Sequence, residues 1–341
     1  MLFYISVMSK RIVVALGGNA IKKREERGTC EEQFRNIETA CNVIMKLIKE
    51  GYNVVITHGN GPQSGNLMIQ QEMAKKKVPP MPMDVVGAMT QGQIGYMIQQ
   101  TLQNMLTREK MNIPVATVIT QVVVSNDDPD FEDPSKPVGE YLSEEEAKKL
   151  EKEGYIINPP PGKMYKEKKM AGHVIKRVKP NGDKPFRRVV PSPDPIRIAE
   201  TEAIRSLVDS GTIVIASGGG GIPVMEKDEG ILLGLNGVID KDKAGERLAE
   251  AVNAEIFLIL TDIEYVYLNY GKENQKPILK MSVAEAKKYL EEGHFLAGSM
   301  GPKILACIRF IEEAKGKKAI VASLEKAKEA IDGKTGTTIV P

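Results

Sequence analysis

The chain has 341 residues, enough for one large or two ordinary domains. Its 47 basic and 45 acidic side chains leave a formal charge of +2, which argues against a nucleic-acid partner held by bulk charge, and aromatics at 5% with no Trp offer no base-stacking platform. The cysteines (Cys30, Cys41, Cys307) form no CxxC pair and the histidines (His58, His173, His294) show no ligand spacing, so no metal site is expected and a cytoplasmic location fits.

The apolar start, residues 1–8, is too short to span a membrane and lacks a basic region and a cleavage site. It reads as a short extra strand or an upstream start with Met8 as the true one, so no membrane partner is expected. Residues 11–16 are a β-branched apolar run, too short for a buried helix, and read as a central parallel strand. Residues 31–50 place Phe34, Ile37, Ala40, Cys41, Ile44, Leu47 and Ile48 on one helical face, and Gly51 closes the helix. Residues 53–57 form the next strand. Pro62 then sits in the first turn of a helix that continues through Leu67, Ile69 and Met73. A helix over 92–108 and a strand over 115–124 follow.

The second half repeats the alternation. Helices are expected over 199–210, 245–252, 283–292 and 302–314, and strands over 213–216, 256–260 and 319–322. The pattern predicts an α/β fold, an open and mainly parallel central sheet sandwiched by helices. Residues 126–190 interrupt it, being rich in Asp, Pro, Lys and Gly. Within them, 173–178 and 186–190 flank Pro180-Asn181-Gly182-Asp183, a hairpin signal. We read a small protruding β-rich subdomain, a candidate lid, over a surface insertion marked by the Lys166–Lys169 charge run.

Three glycine-rich loops leave apolar strands: Gly17-Gly18-Asn19, His58-Gly59-Asn60-Gly61 and Ser217-Gly218-Gly219-Gly220-Gly221. Bare backbone at a strand end lets N–H groups approach an anion, and ligands in such sheets sit at the carboxyl ends of strands. A tight turn explains one glycine, whereas a run of four is entropically costly. His58 reads as a packed or hydrogen-bonding residue. Three lysines stand in Gly/Pro/Asp settings: Lys136 between Ser135 and Pro137, Lys241 between Asp240 and Asp242, and Lys303 after Gly301-Pro302. A lone lysine is ordinarily a solvated charge, and Asp240-Lys241-Asp242 could be a helix-start cluster or a set orienting lysines to a phosphate. Lys303 opens a helix, a position suited to anions. Glycine loops with point positive charges are what phosphoryl transfer requires. Gly333-Lys334-Thr335 is no P-loop, because Lys328 stands where the first Gly is needed, and Gly59-Asn60-Gly61 with Gly65 misses the dinucleotide fingerprint by one residue.

As an ordered set, residues 14–20, 58–63, 88–96, 120–124, 134–139, 189–193, 218–223, 238–242, 260–262 and 293–303 resemble the carbamate kinases of the amino-acid kinase superfamily, over nearly the whole chain from Lys10. Acetylglutamate kinase-like members carry a Lys where Ala15 stands here. The resemblance implies Mg-dependent phosphoryl transfer between ADP and carbamoyl phosphate, giving ATP and carbamate. It implies Lys136, Lys241, Asp242 and Lys303 as the catalytic set, with Lys136 delivered by the lid. It implies substrate binding at Gly17, Gly18, Asn19, Gly59, Asn60 and Gly61. Nucleotide contacts are implied at Gly218, Gly219, Gly220, Lys241, Thr261, Asp262, Met300 and Lys303. Residues 10–208, with the lid at 126–190, would form the carbamate half and 209–341 the nucleotide half. A homodimer is implied by the resemblance alone. The family's Gly-Arg-Gly-Trp-Arg-like stretch is absent, since the chain has no Trp, and Ser64 replaces an apolar residue. The alternatives are a related kinase with another small acid acceptor and a catalytically silent nucleotide-binding regulator.

Overall fold

The computed structural model describes residues 10–23, 25–158, 174–179, 182–295 and 300–341. The N-terminal half runs β1 (Arg11–Leu16), α1 (Cys30–Lys49), β2 (Asn53–His58), α2 (Gly61–Ala74), α3 (Met83–Arg108), β3 (Val115–Thr117) and β4 (Gln121–Val124). Next come β5 (Lys136–Leu142), α4 (Glu144–Lys152), β6 (Ile156–Ile157), β7 (Val174–Arg177), β8 (Phe186–Val190), β9 (Pro195–Ile198) and α5 (Thr201–Asp209). The chain continues through β10 (Ile213–Ile215), β11 (Ile222–Glu226), β12 (Leu232–Gly234), α6 (Lys241–Ala251), β13 (Ile256–Thr261), β14 (Val266–Leu268) and β15 (Lys276–Ile278). It ends with β16 (Lys280–Ser282), α7 (Val283–Glu291), α8 (Met300–Glu312), β17 (Lys318–Ser323), α9 (Ala327–Ile331) and β18 (Thr337–Val340).

An eight-stranded sheet, ordered β16-β18-β17-β13-β1-β2-β10-β3, forms the centre. From β17 to β3 every pairing is parallel. The continuous apolar run of β1 is explained by its position, because helices cover both faces. Alternate residues point to opposite sides. Val13 and Ala15 join a core with Val208 of α5, Leu248 of α6 and Ile304 of α8, while Ile12, Val14 and Leu16 join Ile44 of α1 and Ile98 of α3. This is the expected αβα sandwich. A second sheet, β12-β11-β4-β9, stands beside it.

The outlying segment forms its own sheet, β5-β8-β7-β6. β7 and β8 pair antiparallel, as the hairpin signal predicted, although Pro180 and Asn181 lie outside the described residues. A helix was not anticipated there: α4 opens on a capping box, Ser143 with Glu146, and buries Ala147 against Leu142, Ile175 and Phe186.

Three other expectations change. The strand over 115–124 is two strands in different sheets. Gln91 of α3 takes both backbone groups of Thr120, receiving its N–H at Oε1 (2.7 Å) and donating Nε2–H to its carbonyl (3.1 Å), so the ladder stops there. α3 starts at Met83 rather than 92, because its first turns bury Thr90 and Gln91 along with Met83 and Val86 and carry no apolar period. α6 starts at Lys241 rather than 245, capped by the Asp240 carboxylate, which accepts the N–H groups of Asp242 (3.0 Å) and Lys243 (3.4 Å).

Candidate active site

β1 ends where Gly17 donates its N–H to the Leu260 carbonyl of neighbouring β13 (3.0 Å). A Cβ at position 17 would stand 3.0 Å from that oxygen, so the close splice of the two strand ends favours glycine. Asn19 then donates Nδ2–H to Asp262 Oδ2 (3.1 Å), and Thr261 donates its hydroxyl to Asp262 Oδ1 (3.0 Å). One carboxylate therefore ties the first loop to the end of β13.

The second loop packs on the third. His58 is buried, and its Nδ1 lies 2.9 Å from the Gly59 carbonyl, which makes Nδ1 the protonated nitrogen. Burial, with Lys241 nearby, lowers its pKa to about 4 and keeps the ring neutral. Its Nε2 would lie 2.4 Å from a Cβ at position 218, and Asn60 Nδ2 would lie 2.1 Å from one at 219. The four-glycine run thus has protein neighbours that require bare backbone. Asn60 is oriented by a bond from Nδ2 to Thr90 Oγ1 (2.8 Å), and Thr90 bonds back to the Gly87 carbonyl (2.7 Å).

The lysines converge at the start of α6. Lys241 and Lys303 donate to opposite oxygens of the Asp242 carboxylate, at 2.5 and 2.8 Å. Asp242 is buried. Burial would raise its pKa, but the two ammonium groups outweigh it and hold the value near 2. Burial depresses the Lys303 ammonium, and Asp242 more than reverses this, so its pKa is raised. Lys136, the first residue of β5, reaches across to Asp240 Oδ2 (3.2 Å). Three ammonium groups and two carboxylates leave the cluster one positive charge in excess, a setting for an anion.

A cleft of about 860 Å³ opens on this cluster. Gly17, Gly18, Asn19, Lys241, Thr261, Asp262 and Lys303 line it. Gly59 backs Gly18 and the Lys241 stem, and Gly61 opens α2 beside the cleft residue Pro62. Met300 begins α8, one turn before Lys303. Gly218 and Gly219 are buried against His58 and Asn60, and Gly220 against Ile239. Asp240, which the sequence placed in a helix-start cluster, is the N-cap of α6. Thr90 and Gln91, which fix Asn60 and the 120 turn, left no signal of a role.

A lysine-carboxylate cluster at the strand ends of an αβα sheet is the arrangement of a phosphoryl-transfer site. The model of the amino acid kinase family matches residues 10–323, so the chain belongs to that family. Within it, the carbamate kinase of Pyrococcus furiosus is 50% identical over 337 residues, covering 98% of this chain and all of the relative. That of Trichomonas vaginalis is 44% identical over 334 residues, 97% of this chain and 99% of the relative. A solved carbamate kinase from Giardia lamblia bound to AMP-PNP superposes with a TM-score of 0.86 at 38% identity, covering 98% and 99% of the two chains. The chain belongs to the carbamate kinase branch of the family.

Proposed function

We propose that the chain transfers a phosphoryl group reversibly between carbamoyl phosphate and ADP. The bond from phosphorus to the carbamoyl oxygen breaks, an ADP β-phosphate oxygen takes the phosphoryl group, and carbamate and ATP leave. The observation that carries this is the buried Asp242 holding Lys241 and Lys303 side by side at the cleft. Carbamate is already an anion and needs no strong base, so Asp242 orients lysines and neither takes a proton nor attacks. Lys241 and Lys303 neutralise the equatorial oxygens, and Lys136 closes on them with the 126–190 lid. Gly17, Gly18, Asn19, Gly59, Asn60 and Gly61 hold the carbamate side, in the half 10–208. Gly218, Gly219, Gly220, Thr261, Asp262 and Met300 serve the nucleotide in the half 209–341.

Among the described residues no three His, Cys, Asp or Glu side chains gather to cage a metal. That suits Mg²⁺, which is ordinarily carried by substrate phosphates and one or two carboxylates. Asp262, at the cleft beside Thr261, is the carboxylate that would hold it. Held there, the ion would supply positive charge against the nucleotide phosphates. A cytoplasmic location, a place in arginine metabolism and a homodimeric state complete the reading. Among the described residues no helix is long and apolar enough to cross a membrane. The test is coupled ATP formation from ADP, Mg²⁺ and carbamoyl phosphate, with Lys136→Ala as control. A sharply lowered but measurable activity in the variant is the expected result; a folded wild-type protein that makes no ATP overturns the reading.

A further inference from the structure

The two strands that connect the outlying sheet to the body are joined by carboxylates. Asp130 Oδ2 accepts the Ser135 hydroxyl (3.2 Å), next to Lys136, and the Ser192 N–H on the returning strand. Asp128 Oδ1 accepts the Asp130 N–H (2.9 Å), while its Oδ2 accepts the Asp194 N–H (2.9 Å). Asp194 itself then leaves the hinge. Its Oδ1 accepts from Lys243 of α6 at 2.6 Å, and its Oδ2 from Arg309 of α8 at 2.6 Å. A further tie runs from the Val238 N–H to the Pro191 carbonyl (2.9 Å), just before the Asp240 cap. Lys136, Lys241 and Lys303 come from three different elements, and Asp194 is bonded to two of those elements and to the root of the third.

We propose that Asp194 is a positioning residue that sets the spacing of the three lysines by bonding α6, α8 and the hinge of the outlying sheet to one another. This rests on the phosphoryl-transfer reading above. Charge-assisted bonds of this length are strong and directional. Both oxygens are engaged, so Asp194→Asn replaces one acceptor with a donor facing a cation and breaks the link between the helices. Transfer between fixed partners is steep in geometry, where a displacement of about 1 Å can cost on the order of 100-fold.

The experiment is steady-state kinetics of Asp194→Asn in the wild-type and Lys136→Ala backgrounds, paired with amide hydrogen exchange. The expected result is a kcat lowered about 10- to 100-fold with the KM for ADP within about 3-fold. In the Lys136→Ala background the same change should lower kcat by a smaller factor than in the wild type, because residues acting through one arrangement are not additive. Equal losses in both backgrounds, or a kcat within about 3-fold of wild type, overturn the proposal. In exchange, residues 191–194, the first turn of α6 and the last turn of α8, where Arg309 stands, should speed up together while β1 and β13 stay protected. Acceleration confined to 191–194 overturns it also. If the wild-type protein makes no ATP, the functional reading fails and the exchange pattern alone decides whether Asp194 couples the three elements. Should Asp194→Asn not fold, Lys243→Gln, which leaves the Arg309 bond, should give the same pattern with a smaller loss.

Discussion

Lys241 and Lys303 stand on helices packed against the central sheet, whereas Lys136 stands at the first residue of an outlying strand. The difference extends to what lies beneath each. The start of α6 rests on a core that holds Val13, Ala244, Phe257, Ile304 and Phe310, and Phe257 and Phe310 stack at a tilt with centroids 5.7 Å apart. Among the described residues, the outlying sheet has a core of four buried side chains, Leu142, Ala147, Ile175 and Phe186, beside the separate Val174–Val189 pair. The Lys136 side chain is 37% exposed against 17% and 15% for the other two. The charges proposed to be in place before substrate arrives sit on the deep core. The one proposed to close over the substrate sits on the shallow core, where a few hinge bonds determine its place.

The largest effect that would break this comparison is on stability. Phe257→Ala opens a cavity in the deep core and should cost about 3–5 kcal/mol of global stability, read from denaturant unfolding. Phe186→Ala removes a buried aromatic ring of the outlying core. It should expose that sheet to amide exchange while β1 and β13 stay protected, and lower kcat without losing nucleotide binding. If Phe186→Ala lowers global stability as much as Phe257→Ala does, the two regions unfold as one and the comparison fails.

Next is chemistry. Lys241→Ala or Lys303→Ala removes a preorganised donor and should lower kcat about 10²- to 10³-fold, by analogy with loss of one oxyanion-hole donor. Each also leaves the buried Asp242 with one cation instead of two, so a stability loss should accompany the kinetic one. Turnover near wild type in a folded variant would remove that lysine from the mechanism.

Most of this frame was legible in the sequence. β1, α1, β2 and β13 carry unbroken or periodic apolar runs because they are buried on known faces, and Gly17 marks the splice to Leu260. What was illegible is polar and long-range. The inward side of α6 begins with Asp242 and Glu246, so apolar periodicity starts a turn late. The break at 118–120 is imposed by Gln91, some thirty residues away in the chain. Asp194 looks like any loop aspartate until Lys243 and Arg309 meet it. The glycine run 218–221 was read as a ligand cradle, since a turn needs fewer glycines. The additional requirement is close approach by His58 and Asn60, which no local pattern reveals.

Two buried groups of the central body set a pH dependence between about 4 and 8. His58 is held down to about 4 from an ordinary 6.5 by burial and Lys241, so the stability it permits is full above about 6.5 and lost as pH falls toward 4. Glu246 on α6 is pushed up to about 8 from 4.5 by burial, only partly offset by Arg247, whose Nε is 3.5 Å away. The native state keeps a proton the unfolded chain has released, so this stability is full below about 4.5 and lost as pH rises to 8. The two slopes oppose each other between about 4.5 and 6.5, and only the Glu246 slope remains from there to 8; each is worth a few kcal/mol, on the order of 3. Thermal unfolding from pH 4 to 9 should show Glu246→Gln flattening the alkaline limb and His58→Asn the acid limb. An unchanged alkaline slope in Glu246→Gln would mean that the carboxyl is ionised in the native protein.

The smallest effect tests where the outlying sheet is held. Lys75, the C-cap of α2, pairs with Glu72 of that helix and with Glu153 after α4, the latter at 3.2 Å. Both ends are about two-fifths exposed, at 38% and 42%, so water and salt screen the attraction. Exposed pairs contribute about 0.2–1 kcal/mol. Lys75→Met should therefore shift the unfolding midpoint only slightly and leave kcat within about 2-fold, less still at high salt. A loss of kcat as large as that of Asp194→Asn would put the seat of the sheet at its α2 edge. A negligible one leaves the hinge carboxylates, half-buried and tied to α6 and α8, as the structure that decides where Lys136 stands.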